Sequence, residues 1–199
     1  MFKNSKRWGM LSWLFVIVMI SYLDRVNFSV SAPLIMKEFS INAALMGIIM
    51  SGFNIGYTLM NFTGGFLAEK YSSRKLMTII VLLWSIMTVI TGFGWSFVAL
   101  LAIRIIFGMC EGPLALINTK LVIRWMLPKE RATASGLWLA AMPLGSLIGV
   151  VLSGLIVSTY GWRSVFYIFG IGGVVIAAFS WKILRDRPED HPSISKKEL

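Results

Sequence analysis

Six long apolar segments constrain this chain more than any other feature of its sequence. A helix needs about 20 predominantly apolar residues to cross the hydrocarbon core of a bilayer. The six segments are residues 11–35, 43–66, 76–93, 97–122, 134–159 and 165–184. The links between them are short and contain Gly, Pro, Ser and charged residues, so none can hold a soluble domain. The sequence therefore predicts an all-α membrane protein with six transmembrane helices.

The composition supports the same class of protein and argues against several others. Of the 199 residues, 57% are hydrophobic and 14% are charged, whereas soluble domains have about 25% charged residues. The single cysteine, Cys110, allows no internal disulfide, and the single histidine, His191, lies in a polar tail. Histidine-dependent catalytic triads and zinc sites therefore lack their residues. We expect no enzymatic activity, no cofactor and no metal site, and we interpret Cys110 as a packing residue.

The basic residues are distributed unevenly between the two sides of the predicted bundle. One side, formed by the termini and the second and fourth links, carries fifteen of the 19 Lys and Arg residues. These are Lys3, Lys6, Arg7, Lys70, Arg74, Lys75, Lys120, Arg124, Lys129, Arg131, Lys182, Arg185, Arg187, Lys196 and Lys197. The other side carries Lys37 and Arg163. This asymmetry predicts a multi-pass protein of the cell membrane with both termini in the cytoplasm, and it explains the net charge of +10 without nucleic-acid binding.

Four ionisable residues lie inside the predicted spans: Asp24, Arg25, Arg104 and Glu111. A charge at the bilayer centre costs about 2.5–3.5 kcal/mol on insertion scales, so we expect the two acids and two bases to pair between the first and fourth spans. Gly108, between Arg104 and Glu111, is expected to leave room for the charges. Such residues form either a fixed salt-bridge network or a substrate and ion pathway, and intramembrane charges favour the pathway.

Further polar residues share the helix faces of these charges. Asn118 follows Glu111 by seven residues, and Asn54, Tyr57 and Asn61 form a stripe on the second helix. These patterns predict a shared hydrated interior. Within it, arginine can bind a carboxylate with its planar fork but cannot release its proton, so the acids are the expected proton carriers.

Two pairs of glycines recur at four-residue spacing within the spans. They are Gly52 with Gly56, and Gly145 with Gly149. Small residues at this spacing let transmembrane helices approach closely, so we expect helix–helix contacts at both pairs.

The second link, "GGFLAEKYSSRK" at residues 64–75, resembles the cytoplasmic motif of the major facilitator superfamily, G-x-L-A-D-R-x-G-R-R/K. The matching residues are Gly65, Leu67, Ala68, Arg74 and Lys75. Glu69, Lys70 and Ser72 replace the motif's aspartate, arginine and glycine, and Ser73 is an additional residue.

Five further stretches resemble the anion:cation symporter family within that superfamily. They are "YLDRVN", "RIIFGMCEGP", "RWMLPKERATASG", "YGWRSVF" and "RDRPEDHP". This family includes sugar-acid permeases for galactonate, glucarate and hexuronates, phthalate-type permeases and animal organic-anion transporters. The resemblance implies proton coupling at Asp24 and Glu111. It implies substrate binding at Tyr22, Arg25, Tyr57, Arg104 and Asn118.

Three positions leave alternatives open within this resemblance. Asn27 and Asn118 match motif positions where packing and hydrogen bonding are equally compatible. Met142 lies where a sugar-acid permease has a polar side chain, which argues against a polyhydroxylated substrate.

Members of the superfamily have about twelve spans in two six-helix halves, with the site between the halves. The chain resembles an N-terminal half: a six-helix bundle of two three-helix repeats over residues 1–184, then the start of a cytoplasmic central loop at 185–199. We expect it to transport a small organic anion together with a proton when a C-terminal half is present.

Two alternatives remain. The first is one half of a drug/proton antiporter, since Gly136, Gly145 and Gly149 have the spacing of that signature, although Val150 stands in place of its proline. The second is an inert truncated membrane fragment.

Overall fold

The computed structural model describes residues 6–191, and this part of the chain is almost entirely helical. Its α-helices are α1 (Lys6–Phe39), α2 (Ala43–Lys70), α3 (Ser73–Gly92), α4 (Phe97–Glu111), α5 (Leu114–Trp125), α6 (Arg131–Tyr160) and α7 (Trp162–Ile183). Six helical stretches in the described residues are long and apolar enough to cross a membrane, which confirms the predicted number. Three of the basic residues counted above, Lys3, Lys196 and Lys197, lie outside the described range.

The helices extend beyond the apolar segments from which they were predicted. The first was predicted at 11–35, but α1 begins at Lys6 and ends at Phe39. Hydropathy marks only the part of a helix that meets lipid tails. Charged residues at the ends continue the helix while their head groups reach the interface.

The predicted fourth segment, 97–122, is not one continuous helix, because α4 ends at Glu111 and α5 begins at Leu114. Pro113 explains the break. Proline has no backbone N–H for the helix hydrogen bond, and its ring clashes with the preceding turn. The two helices still form a single candidate span. The break directly follows Glu111 and therefore lies at the centre of the predicted site.

The helix pairing shows two related three-helix units. The most extensive contacts join α1 to α6, α2 to α4 and α3 to α7. The six spans are, in order, α1, α2, α3, α4 with α5, α6 and α7. Exchanging the first with the fourth, the second with the fifth and the third with the sixth turns the pair α1–α6 into α4–α2. The same exchange leaves the pair α3–α7 unchanged. This reciprocal pattern is the one expected of two three-helix repeats.

Both glycine pairs lie at close helix contacts, as the sequence predicted. A Cβ atom added to Gly56 would overlap the backbone carbonyl of Ile105 on α4, and one added to Gly145 would overlap the carbonyl of Met19 on α1. These glycines bring the backbones of α2 and α4, and of α1 and α6, into direct contact.

The segment after α7 folds back onto the α2–α3 link. The Asp186 carboxylate accepts hydrogen bonds from Ser72 Oγ at 2.5 Å and from the Arg74 backbone N–H at 3.1 Å. Arg74 Nε donates to the Trp181 carbonyl at 2.7 Å, and Trp125 Nε1 donates to the Arg185 carbonyl at 3.1 Å. We call this end of the bundle the link end, and the end at which α1 terminates the opposite end.

We expect Asp186→Ala to lower the free energy of unfolding by about 1–2 kcal/mol, because it removes an anion and an acceptor from the N-terminus of α3. Urea unfolding in bicelles, followed by circular dichroism, measures the change. Asp190→Ala is the matched control, since Asp190 is exposed and makes no such cap. Equal stability of the two variants would contradict the assignment of Asp186 as a cap.

Candidate functional site

The centre of the bundle contains a buried ion pair between the first and fourth spans. Arg25 Nε donates to Glu111 Oε2 at 2.6 Å, and Ser21 Oγ donates to Glu111 Oε1 at 3.0 Å. The Glu111 side chain is completely buried, and that of Arg25 is 21% exposed. Both carboxylate oxygens are thus satisfied, and the Arg25 guanidinium retains donors for another partner. The expected pairing of charges between these two spans is confirmed here.

The second pair of charges does not form the ion pair that the balance of charges predicted. Asp24 and Arg104 are buried, yet both carboxylate oxygens of Asp24 and the Nε and Nη2 atoms of Arg104 lack hydrogen-bond partners. Successive residues on a helix point about 100° apart, so Asp24 faces away from the direction of Arg25. Two of the four charges therefore remain available to another group.

Aromatic rings surround both guanidinium groups. The Arg25 guanidinium carbon lies 4.5 Å from the ring centre of Tyr22, 4.8 Å from that of Phe53 and 5.0 Å from that of Tyr57. Arg104 lies 4.2 Å from the ring of Phe28 and 4.7 Å from that of Phe107. Cation–π contacts stabilise desolvated cations without consuming their N–H donors, so the rings orient the guanidiniums and leave their donors free.

Both arginines line one cavity of about 150 Å³. Its walls consist of Arg25, Phe28, Ser29, Met50, Phe53 and Arg104. The cavity lies between the Arg25–Glu111 pair and the end of the bundle at which α1 terminates. The α1 residues that line it besides Arg25, Phe28 and Ser29, follow Arg25 in the chain and therefore lie closer to that end. Two cations, one hydroxyl and an otherwise apolar wall can bind a small anion.

The structure brings together most, but not all, of the site residues predicted from the sequence. Tyr22 and Tyr57 flank Arg25 and do not line the cavity. Asn118 is fully buried with both amide atoms unpartnered, but it lies on α5, beyond the Pro113 break and outside the cavity wall. It is not part of the arginine cluster.

One expectation about room in the interior was wrong. Gly108 does not leave space between the charges, because a Cβ atom there would overlap the Phe53 carbonyl of α2. The polar residues of the α2 stripe have different surroundings. Tyr57 lies against Arg25, whereas Asn54 is exposed and lines a surface pocket with Ile55, Thr58 and Leu59. Asn61 Nδ2 donates weakly to the Gly112 carbonyl at 3.5 Å.

Several residues of the site were missed by sequence reasoning, because their type is ordinary in a membrane helix. Ser21, the second donor to Glu111, lies one turn before Arg25 and was detectable by that spacing. Phe28 and Phe53 resemble any lipid-facing phenylalanine. Only the contact between helices identifies them as ring partners of the arginines.

Six potential spans and an internal cavity lined by two arginines define a multi-pass membrane protein with charged side chains inside its membrane-spanning part. The sequence profile of the Major Facilitator Superfamily matches residues 14–199. The chain belongs to this superfamily of transporters, as its motifs predicted.

Similar sequences and a similar solved structure agree with this assignment. The chain is 34% identical over 178 residues to the hexuronate transporter of Bacillus subtilis (strain 168), covering 89% of this chain and 42% of that protein. It is 32% identical over 199 residues to the "Probable galactarate/D-glucarate transporter GarP" of Escherichia coli (strain K12), covering 97% and 45%. A bacterial homolog of the human lysosomal transporter Spinster, in an inward-facing and occupied conformation, superposes with a TM-score of 0.86 at 25% identity, covering 94% of this chain and 46% of that one.

The chain spans less than half the length of the curated relatives it matches. Together with six spans and the paired three-helix units, this shows the six-helix half of a major-facilitator fold.

Proposed function

We propose that this chain is the N-terminal half of a symporter that carries a small organic anion, a sugar acid or related carboxylate, together with a proton. The observation that carries the proposal is the cavity lined by Arg25 and Arg104, with Glu111 paired to Arg25. A planar guanidinium binds a carboxylate through two parallel hydrogen bonds. The named substrates of the relatives, hexuronate and galactarate or glucarate, are such anions.

Proton coupling follows from the competition for Arg25. Glu111 accepts a hydrogen bond from Arg25. When a substrate carboxylate approaches the same guanidinium, two anions compete for one cation, and protonation of Glu111 relieves the repulsion. Asp24, which has no partner for either oxygen, is the second proposed proton carrier. In this scheme Tyr22 and Tyr57 hold Arg25 in position, and Asn118 is not a direct ligand.

Transport requires a second six-helix half, because transporters of this superfamily bind their substrate between two halves. We propose that both termini are cytoplasmic, that residues 1–184 form the transmembrane unit and that 185–199 begin the loop to the second half. A drug/proton antiporter half has no specific support, since its substrates require no pair of arginines.

Uptake in a transporter completed by a second half tests this proposal. Right-side-out vesicles with an inward proton gradient are expected to accumulate a labelled sugar acid and to take up protons with it. A dissipated gradient is expected to abolish accumulation. Outward proton flux during substrate entry would identify an antiporter, and the lack of any anion transport would favour an inert fragment.

Arg104→Gln is expected to raise the anion concentration for half-maximal uptake about 10- to 100-fold, because a hydrogen bond to a charged group contributes about 1.5–3 kcal/mol. Arg104→Lys is expected to restore only part of the affinity, since lysine lacks the planar fork. Arg187→Gln, an exposed position outside the spans, is the matched control. Unchanged affinity in Arg104→Gln would exclude Arg104 from the substrate site.

A further inference from the structure

The cavity between the two arginines is lined by one hydroxyl-bearing residue, Ser29. Its other lining residues, apart from the arginines, are the apolar Phe28, Met50 and Phe53. Ser29 lies in the membrane-spanning helix α1 and is exposed. Polar groups within membrane spans mostly face the interior of a bundle or a water-filled cavity, and Ser29 borders this cavity.

The Ser29 hydroxyl differs from the other serine hydroxyls of α1 in its hydrogen bonding. Ser12 and Ser31 each donate to the backbone carbonyl one turn earlier, at 2.9 and 2.8 Å, which is a common bond of serine inside a helix. Ser21 donates to the carboxylate of the central ion pair. Within the part of the chain that the structure describes, Ser29 makes no hydrogen bond through its side chain. Its hydroxyl can therefore donate to, and accept from, a group in the cavity.

Ser29 follows Arg25 by four residues on α1. The two side chains therefore lie on the same face of the helix, about 6 Å apart along its axis. Arg104 borders the same cavity from α4, so a carboxylate bound by either guanidinium there lies close to Ser29. Two hydroxyl oxygens form a hydrogen bond at about 2.8 Å. This spacing suits a substrate hydroxyl on the first or second carbon after the carboxylate.

The volume of the cavity indicates which part of an anion it holds. Pockets that enclose a whole small ligand have volumes of about 300–1,000 Å³, whereas this cavity has about 150 Å³. It can hold the carboxylate and the adjacent carbons, and the rest of a sugar acid extends beyond it. Any recognition of substrate hydroxyls by this cavity is therefore confined to the carboxylate end.

We propose that Ser29 is a specificity-determining residue: its hydroxyl hydrogen-bonds a substrate hydroxyl on the first or second carbon after the carboxylate, and so selects hydroxy acids over the corresponding deoxy acids. A site that hydrogen-bonds a substrate hydroxyl discriminates against the analogue that lacks it, because a polar group of the site is then left unpaired. The inference rests on the proposed function, in which the arginines bind the carboxylate, and it names the second feature of the anion that this half recognises.

Competition for uptake tests this inference in the transporter completed by a second half. Labelled D-glucarate and D-glucuronate are the transported probes. The unlabelled competitors are D-gluconate and its two analogues that lack the hydroxyl on the first or on the second carbon after the carboxylate. In the unmodified protein, gluconate is expected to inhibit at an about 3- to 10-fold lower concentration than the analogue without the bonded hydroxyl, the effect of one uncharged hydrogen bond.

Ser29→Ala is expected to remove this preference by weakening inhibition by gluconate, while inhibition by the deoxy analogue stays unchanged. Ser29→Cys has a similar size and only a weak S–H donor, so it is expected to act in the same direction if alanine disturbs the helix. Ser31→Ala is the matched control, because Ser31 lies on the same helix but is buried and bonded to the Asn27 carbonyl. The preference is a ratio measured within one variant, so differences in the amount of folded protein cancel.

Equal inhibition by gluconate and both analogues in the unmodified protein would overturn the role of Ser29. So would an unchanged preference in Ser29→Ala and Ser29→Cys, or an equal loss of preference in Ser31→Ala. Each of these results leaves the proposed function intact, provided that a probe is still accumulated with protons. If the unmodified transporter accumulates neither probe, the proposed transport of sugar acids fails, and the inference fails with it.

Discussion

Glu111→Gln is expected to abolish concentrative uptake, so that the labelled anion inside the vesicles never exceeds its external concentration. Glutamine preserves the shape of the side chain: its one carbonyl oxygen can accept from Arg25, and its NH2 group can donate to the Ser21 hydroxyl. It can neither take up nor release a proton. The empty carrier would then lack the step that couples the proton gradient to the anion. Exchange of internal for external anion needs no net proton movement and is expected to persist.

Uptake driven by a proton gradient and counterflow exchange, measured in the same vesicles, separate these two outcomes. Asp24→Asn is expected to behave in the same way if Asp24 carries a proton. Glu189→Gln is the control, because Glu189 is an exposed carboxylate outside the spans. Undiminished uphill uptake in both Glu111→Gln and Asp24→Asn would remove the proposed coupling mechanism.

Gly56→Ala is expected to lower the free energy of unfolding by roughly 3 kcal/mol or more, above the usual 1–3 kcal/mol for an overpacked contact. A Cβ atom at Gly56 would overlap the Ile105 carbonyl and lie 3.0 Å from the Met109 backbone nitrogen. Both are backbone groups, so no side-chain rotation can relieve the clash, and α2 must move away from α4. Because α2 carries Phe53 and Tyr57, the packing around Arg25 is expected to loosen as well.

Gly47→Ala provides a matched control on the same helix. A Cβ atom at Gly47 meets no atom within 4 Å, so this change is expected to be neutral or stabilising by up to about 1 kcal/mol through helix propensity. Unfolding in bicelles and anion binding, measured on both variants, test the prediction. Equal stability of Gly56→Ala and Gly47→Ala would show that the α2–α4 contact does not determine the stability of the bundle.

The predictability of the site differed from residue to residue. The pairing of Arg25 with the fourth span followed from the cost of an isolated charge in lipid. The choice of Glu111 and the absence of an Asp24–Arg104 ion pair did not follow, because a sum of charges contains no directions. Phe28 and Phe53 carry no chemical signal in the sequence, since each is also an ordinary membrane-helix residue.

The sequence by itself determined that the chain is a bundle of six membrane-spanning helices with two acids and two bases inside it. These properties depend on composition and hydropathy along each segment, and the requirement to satisfy backbone groups in lipid leaves only helices as a solution for such segments. The tertiary structure alone decided which base meets which acid, where the cavity lies and which glycines join helix backbones. Those features depend on the rotation of each helix about its axis and on distances between helices, and residues far apart in the chain set both.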